Sequence, residues 1–140
     1  MPIHVLAIDD DPAMTELLTL LLQSHGFKIT TVNSGMEGIQ FVREHLPDIV
    51  LLDLIMPGVG GQETCKTIRS FSNVPIIALS ALNNPELVAN ALDAGADDYL
   101  IKPVPSSILI AHLKNLARRS TSRLTQYGTH IVKSTSPLVP

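Results

Sequence analysis

Five short apolar runs punctuate the chain: HVLAI at 4–8, FKITTV at 27–32, DIVLLDL at 48–54, VPIIALS at 74–80 and DYLIK at 98–102. Four are near-continuous in Val, Ile and Leu, the pattern of parallel strands covered on both faces. The second alternates more with polar residues, which predicts a strand nearer a sheet edge. Between the runs lie segments of helical period with recognisable ends. Asp11 suits an N-cap with Pro12 in the first helical position, Leu17, Leu18, Leu21 and Leu22 form an apolar stripe, and Gly26 suits a left-handed C-terminus. Ser34 and Glu37 make a capping-box pattern ahead of Ile39 and Val42, and Pro47 closes that helix after Leu46. A third helix, at roughly 61–71, has the weakest start signal. Asn84 and Pro85 open a fourth that Gly95 ends, and Ser106 or Ser107 opens a fifth with Ile110, Leu113 and Leu116 facing inward.

The order is (βα)5, with short loops and one helix per crossover. Right-handed crossovers place helices on both faces of a parallel sheet, an α/β doubly wound architecture. After Ser120 the composition turns to Ser and Thr without acidic residues, which predicts a tail or linker over 120–140, with a short strand-like stretch at THIV (129–132).

At 140 residues the chain is one ordinary domain, and no apolar run approaches the ~18 residues of a membrane span. We expect no membrane insertion and, from the absence of an export-signal pattern and of any second cysteine beside Cys65, a reducing, cytoplasmic setting. Four basic and thirteen acidic residues up to Asp98 leave that part at −9, whereas six basic and no acidic residues follow it. A basic C-terminal segment can meet nucleic acid or an anionic surface, but the simpler reading, a solvated helix and linker, carries more weight.

Ligands of open parallel sheets bind beyond the carboxyl ends of the strands. The polar residues ending the runs are Asp9 and Asp10, Asp53, Ser80 and Lys102. Topology brings all five to one edge. Three carboxylates in one pocket repel, and Mg2+, which takes one or two carboxylates and keeps several waters, would relieve them through Asp10 and Asp53 directly and Asp9 through water. With the Lys102 ammonium and the Ser80 hydroxyl, such a pocket suits the oxygens of a transferring phosphoryl group, leaving a carboxylate as nucleophile.

The DDDP after the first run, DLIMPGVGG with its D-x-x-M-P-x-x-x-G pattern, LSA and DYLIKP, in this order and spacing, resemble receiver domains of two-component response regulators over residues 3–119. The resemblance implies a flavodoxin-like fold with strand order 2-1-3-4-5 and a receiver domain over 1–119. It implies that Asp53 accepts a phosphoryl group from a histidine kinase or phosphotransfer protein, that Asp9 and Asp10 form the acidic pair, and that Mg2+ is held by Asp10, Asp53 and the backbone carbonyl of Ile55. It further implies that Ser80 and Lys102 contact the phosphoryl oxygens, that the Lys102–Pro103 peptide is cis, and that Tyr99 is the aromatic switch residue. The face of the fourth helix, fifth strand and fifth helix would then change shape and bind a partner or a second copy in a homodimer. Nucleic acid would be reached only through an output domain, since 21 residues after Arg119 are too few for a helix-turn-helix.

Other readings compete. Asp11 is better explained as a cap than a ligand, and Asp97 and Asp98 as turn residues after Gly95. Gly58, Gly60 and Gly61 lack the Lys and Ser or Thr of a P-loop and read as a permissive turn. His4, His25, His45, His112 and His130 show no metal-ligand spacing, and Cys65 reads as packing. An aspartyl-nucleophile phosphatase of the haloacid-dehalogenase type uses similar groups but needs a second Asp two residues after the nucleophile, where Ile55 stands. A receiver-like module that is never phosphorylated would lack some of these side chains, and all are present. The reading is therefore of a phosphoacceptor signalling domain rather than an enzyme.

Overall fold

The computed structural model describes residues 2–130, with side chains for 2–119. Five strands, β1 (His4–Ile8), β2 (Lys28–Val32), β3 (Ile49–Asp53), β4 (Ile76–Ser80) and β5 (Asp98–Ile101), alternate with five helices, α1 (Pro12–Ser24), α2 (Gly35–His45), α3 (Gly61–Arg69), α4 (Pro85–Asp93) and α5 (Ser106–His130). All strand pairs are parallel, as the pattern predicts, and the order is β2-β1-β3-β4-β5, the flavodoxin-like order the resemblance implies. The alternating run lies at an edge.

Each central strand divides its residues between two cores, because successive side chains point to opposite faces. Val5, Ala7, Ile49, Leu51, Ile77 and Leu79 meet Leu18 and Leu22 of α1 and Leu109, Ile110, Leu113 and Leu116 of α5. Leu6, Ile8, Val50, Leu52, Ile76 and Ala78 meet Val42 of α2, Cys65 and Ile68 of α3, and Ala91 of α4. Burial raises the Cys65 thiol to about 11, so it serves as packing.

The helix ends behave as their sequence signals indicate. Asp11 accepts from Ala13 N at 3.0 Å, Ser34 from Glu37 N at 3.1 Å, and Asn84 from Glu86 N at 2.8 Å. One detail differs from expectation. Leu17 is exposed: the buried stripe of α1 runs through Thr15, Leu18 and Leu22, and one residue of helical rotation carries Leu17 off it. α5 opens at Ser106, one of the two serines the pattern offers, and the Pro105 carbonyl accepts from Ile108 N and Leu109 N at its start.

A larger difference concerns the local structure of residues 120–130, read from the sequence as part of a tail or linker with a strand-like stretch from Thr129. They continue α5, Thr129 and His130 included, while Ile131 and Val132 lie outside the described residues. Once a helix is nucleated, adding residues costs little, and no proline interrupts the chain before Pro137.

At the amino edge of the sheet Arg69 does what no local pattern announces. Its guanidinium donates to the carbonyls of Gly95, Ser72 and Val74 at 2.8–3.1 Å and to Asp97 Oδ2 at 3.1 Å. Asp97 Oδ2 also accepts from Ile76 N at 2.8 Å. One planar cation thereby ties the end of α3 to the start of β4 and the turn before β5. Arg69→Ala is expected to lower stability by about 1–3 kcal/mol, since half-buried carbonyls lose a charged donor, and Arg69→Lys to restore little of it, because an ammonium lacks the fork. Denaturant midpoints check both.

Candidate functional site

The parallel register sets the site. Ile8 lies opposite Leu52 of β3, Asp53 opposite Leu79, and Ser80 opposite Ile101. The residues that follow or end these strands therefore emerge together at the carboxyl edge. Asp9 and Asp53 are buried, Asp10 is exposed, and one carboxylate oxygen from each lies within 4.8 Å of the others. Among the described residues no other group of three or more acidic, His or Cys side chains converges in this way.

Lys102 reaches into the cluster from the end of β5, with Nζ 3.3 Å from Asp9 Oδ2 and 3.6 Å from Asp53 Oδ2. The remaining carboxylate oxygens are oriented by backbone. Asp53 Oδ1 accepts from Ile55 N at 3.1 Å, and Asp9 Oδ1 from Asp11 N at 3.0 Å. Burial pushes the Asp53 carboxyl above the ordinary carboxylate range; the Ile55 N–H and Lys102 oppose this, and the charges of Asp9 and Asp10 add to it. Three carboxylates facing one ammonium leave excess negative charge on hard oxygen donors, a set that fits a hard divalent cation.

Ser80 is fully buried, and its Oγ accepts from Leu82 N at 3.1 Å. Tyr99 is half-buried, and its hydroxyl donates to Leu82 O at 2.7 Å. Both side chains thus hold the same residue of the β4–α4 loop. The Lys102–Pro103 peptide is cis. Asp11 caps α1, outside the converging three. Asp97 is held by Arg69, and Asp98 pairs with His112 Nδ1 of α5 while accepting from Tyr99 N.

The glycines of the β3–α3 loop differ from one another. Gly58 has a positive φ of 71°, which fits a turn. Gly60 is open, with nothing near an added methyl. Gly61 is tightly enclosed: a methyl there would lie 2.4 Å from Leu54 Cα and 2.5 Å from Asp53 O. It lets α3 start directly against the backbone that carries Asp53, a role a single sequence does not announce among three neighbouring glycines.

A family model of the response regulator receiver domain matches residues 5–114. The chain is 40% identical over 117 residues to the DNA-binding response regulator MtrA of Mycolicibacterium smegmatis, covering 84% of this chain and 51% of that protein. It is 40% identical over 116 residues to the transcriptional regulatory protein CseB of Streptomyces avermitilis, covering 83% and 49%. The chain spans about half the length of the curated relatives it matches. Among solved structures, a two-component response regulator from Clostridium difficile superposes with a TM-score of 0.79 at 33% identity, covering 83% of this chain and 96% of that one. The BeF3-activated N-terminal receiver domain of Klebsiella pneumoniae RstA does so with a TM-score of 0.79 at 29% identity, covering 82% and 98%.

Proposed function

The chain belongs to the response regulator receiver domain family of two-component signalling, and from that premise we propose that residues 1–119 accept a phosphoryl group on Asp53 from a histidine kinase or phosphotransfer protein in a Mg2+-dependent reaction. The observation that carries the reading is the meeting of the buried Asp53 carboxylate with Lys102 Nζ at 3.6 Å inside the acidic cluster. Asp10, Asp53 and the Ile55 carbonyl would hold Mg2+ directly, with Asp9 through water. Bound there, the ion supplies charge neutralisation for the phosphoryl oxygens and for the carboxylates themselves.

The chain's own groups account for the rest. One Asp53 oxygen attacks phosphorus, the bond from phosphorus to the donor breaks, and its electron pair leaves with the donor, so that an acyl phosphate forms. The Ile55 N–H holds Oδ1 and orients the nucleophile. Lys102 offers a fixed ammonium, and Ser80 a hydroxyl, to the transferred oxygens. Position 55, where a phosphatase of the haloacid-dehalogenase type carries its general acid, is an isoleucine. This supports holding the phosphoryl group over turnover of many substrates.

Signalling would follow from the shared hold on Leu82. When the Ser80 hydroxyl turns to the phosphoryl group it gives up Leu82 N, and the loop that also anchors Tyr99 is released. The face of α4, β5 and α5, where Leu92, Ile101 and Ile108 are exposed, would then bind a partner or a second copy. Contact with DNA would fall to an output domain outside the receiver fold. Among the described residues no helix is long and apolar enough to cross a membrane, and we place this activity in the cytoplasm.

Incubation with Mg2+ and a small acyl phosphate is expected to add one phosphoryl group by intact mass, and chelation to prevent it. Multiple turnover of phosphomonoesters would overturn the reading. Sedimentation with beryllofluoride is expected to show a dimer, and an unchanged mass would remove the homodimer from it.

A further inference from the structure

The acidic pair follows β1 and the phosphoacceptor ends β3, and the connection between β2 and α2 touches the segments that continue from both. Asp9 N donates to Val32 O at 3.1 Å, and Asp9 O accepts from Asn33 Nδ2 at 2.9 Å. Both peptide groups flanking Asp9 are thus held from the end of β2. The second of them joins Asp9 to Asp10, so the Asn33 amide fixes the plane from which Asp10 departs. Asn33 is itself held: its N–H donates to Glu37 Oε1 at 3.2 Å, and the same oxygen accepts from Ser34 Oγ at 3.2 Å.

The other end of this connection rests on the loop after Asp53. A methyl at Gly35 would lie 2.1 Å from Thr64 Oγ1 and 3.1 Å from Val59 O. Thr64 is fully buried, and its hydroxyl donates to Gly60 O at 2.9 Å. Residues 33–35 therefore span the gap between the Asp9–Asp10 loop and the loop that leaves Asp53.

We propose that Asn33 is a positioning residue for the divalent-cation pocket, acting through the Asp9–Asp10 peptide, with the β2–α2 connection as the strap that joins the pocket's two halves. Asn33 would touch neither the cation nor the phosphoryl group. Its amide holds the backbone so that Asp10 and Asp9 face Asp53 before the cation arrives, and the cation then does not have to order them. The inference rests on the Mg2+-dependent reading above and deepens it.

The side chain of Asn33 lies at the surface, so Asn33→Leu and Asn33→Ala leave the cores intact. Thermal unfolding of the full chain, without divalent cation and across a MgCl2 titration, tests the role without any turnover. The wild-type midpoint is expected to rise with MgCl2, by linkage. In both variants the MgCl2 concentration giving half of that rise should increase about tenfold, the lower end of what partners of metal ligands contribute, while the metal-free midpoint stays close to wild type. A metal-free midpoint that falls while the MgCl2 dependence is unchanged would reduce Asn33 to a loop-stabilising residue and overturn the proposal. So would no change in either quantity. If the wild-type midpoint ignores MgCl2, the Mg2+-dependent reading itself fails, and this inference with it.

Discussion

Asp53→Asn is expected to reduce phosphoryl incorporation to background and, in the same protein, to raise the unfolding midpoint measured without divalent cation. The first effect is chemical. A carboxamide oxygen is uncharged and is a poor nucleophile toward phosphorus, and no other carboxylate takes its place: Asp9 Oδ2 lies against Lys102, and Asp9 Oδ1 accepts from Asp11 N. The second effect is electrostatic. Burial holds the Asp53 carboxyl above its ordinary range, so folding works against its charged form, and Asp9 and Asp10 add repulsion. Asn keeps an acceptor for the Ile55 N–H and removes one of three negative charges, while Lys102 retains Asp9 at 3.3 Å. Intact mass and a thermal melt read the two effects. A midpoint that fell would mean that the Lys102 attraction outweighs burial and repulsion together.

Gly61→Ala is expected to destabilise the domain by about 1–3 kcal/mol, the range for overpacking a close contact, and to slow phosphoryl incorporation as well. The added methyl meets Leu54 Cα, Asp53 O and Leu54 C at 2.4, 2.5 and 3.0 Å. These are backbone atoms, which cannot turn aside as a side chain does, so either α3 or the end of β3 must shift. Because Asp53 O is among them, the strain falls on the phosphoacceptor's own peptide. The neighbouring glycines separate space from conformation. Gly60→Ser should be near neutral, within a few tenths of a kcal/mol, because the position is open and a serine there can cap α3. Gly58→Ala should cost about 1–2 kcal/mol for its positive φ alone and leave the pocket's shape unchanged. Denaturant midpoints with a phosphorylation time course distinguish the three.

What was legible in the sequence was whatever is encoded locally or by periodicity. Runs such as IVLLD and IIALS could only be strands covered on both sides, and once strands were placed, the residues ending them had to share an edge. That reasoning located Asp9, Asp10, Asp53, Ser80 and Lys102 without any knowledge of distance, because a parallel sheet aligns its carboxyl ends. It did not reach Asn33, whose partner is a backbone carbonyl 24 positions away, just past the end of the neighbouring strand. It did not reach Arg69 for the same reason: carbonyls carry no side-chain signature, and a cation bonded to them looks like any surface arginine. Nor could it rank Gly58, Gly60 and Gly61, since one answers to a dihedral angle, one to nothing near it and one to a backbone contact. Residues 120–130 misled in another way, since Ser and Thr lower helix propensity only slightly and a helix already begun continues through them.

The Arg69 clamp has a mechanical consequence for α4. Just past its C-terminal end, Gly95 is fastened through its carbonyl to the guanidinium of Arg69, the last residue of α3, which also grips the approach to β4. Ahead of its N-terminal end, the loop is gripped by two side chains that converge on Leu82. One end is bolted and the other latched. Were the latch to open as proposed above, a helix mounted in this way would swing about Gly95 rather than translate, with the largest excursion at Pro85 and the smallest at Asp93.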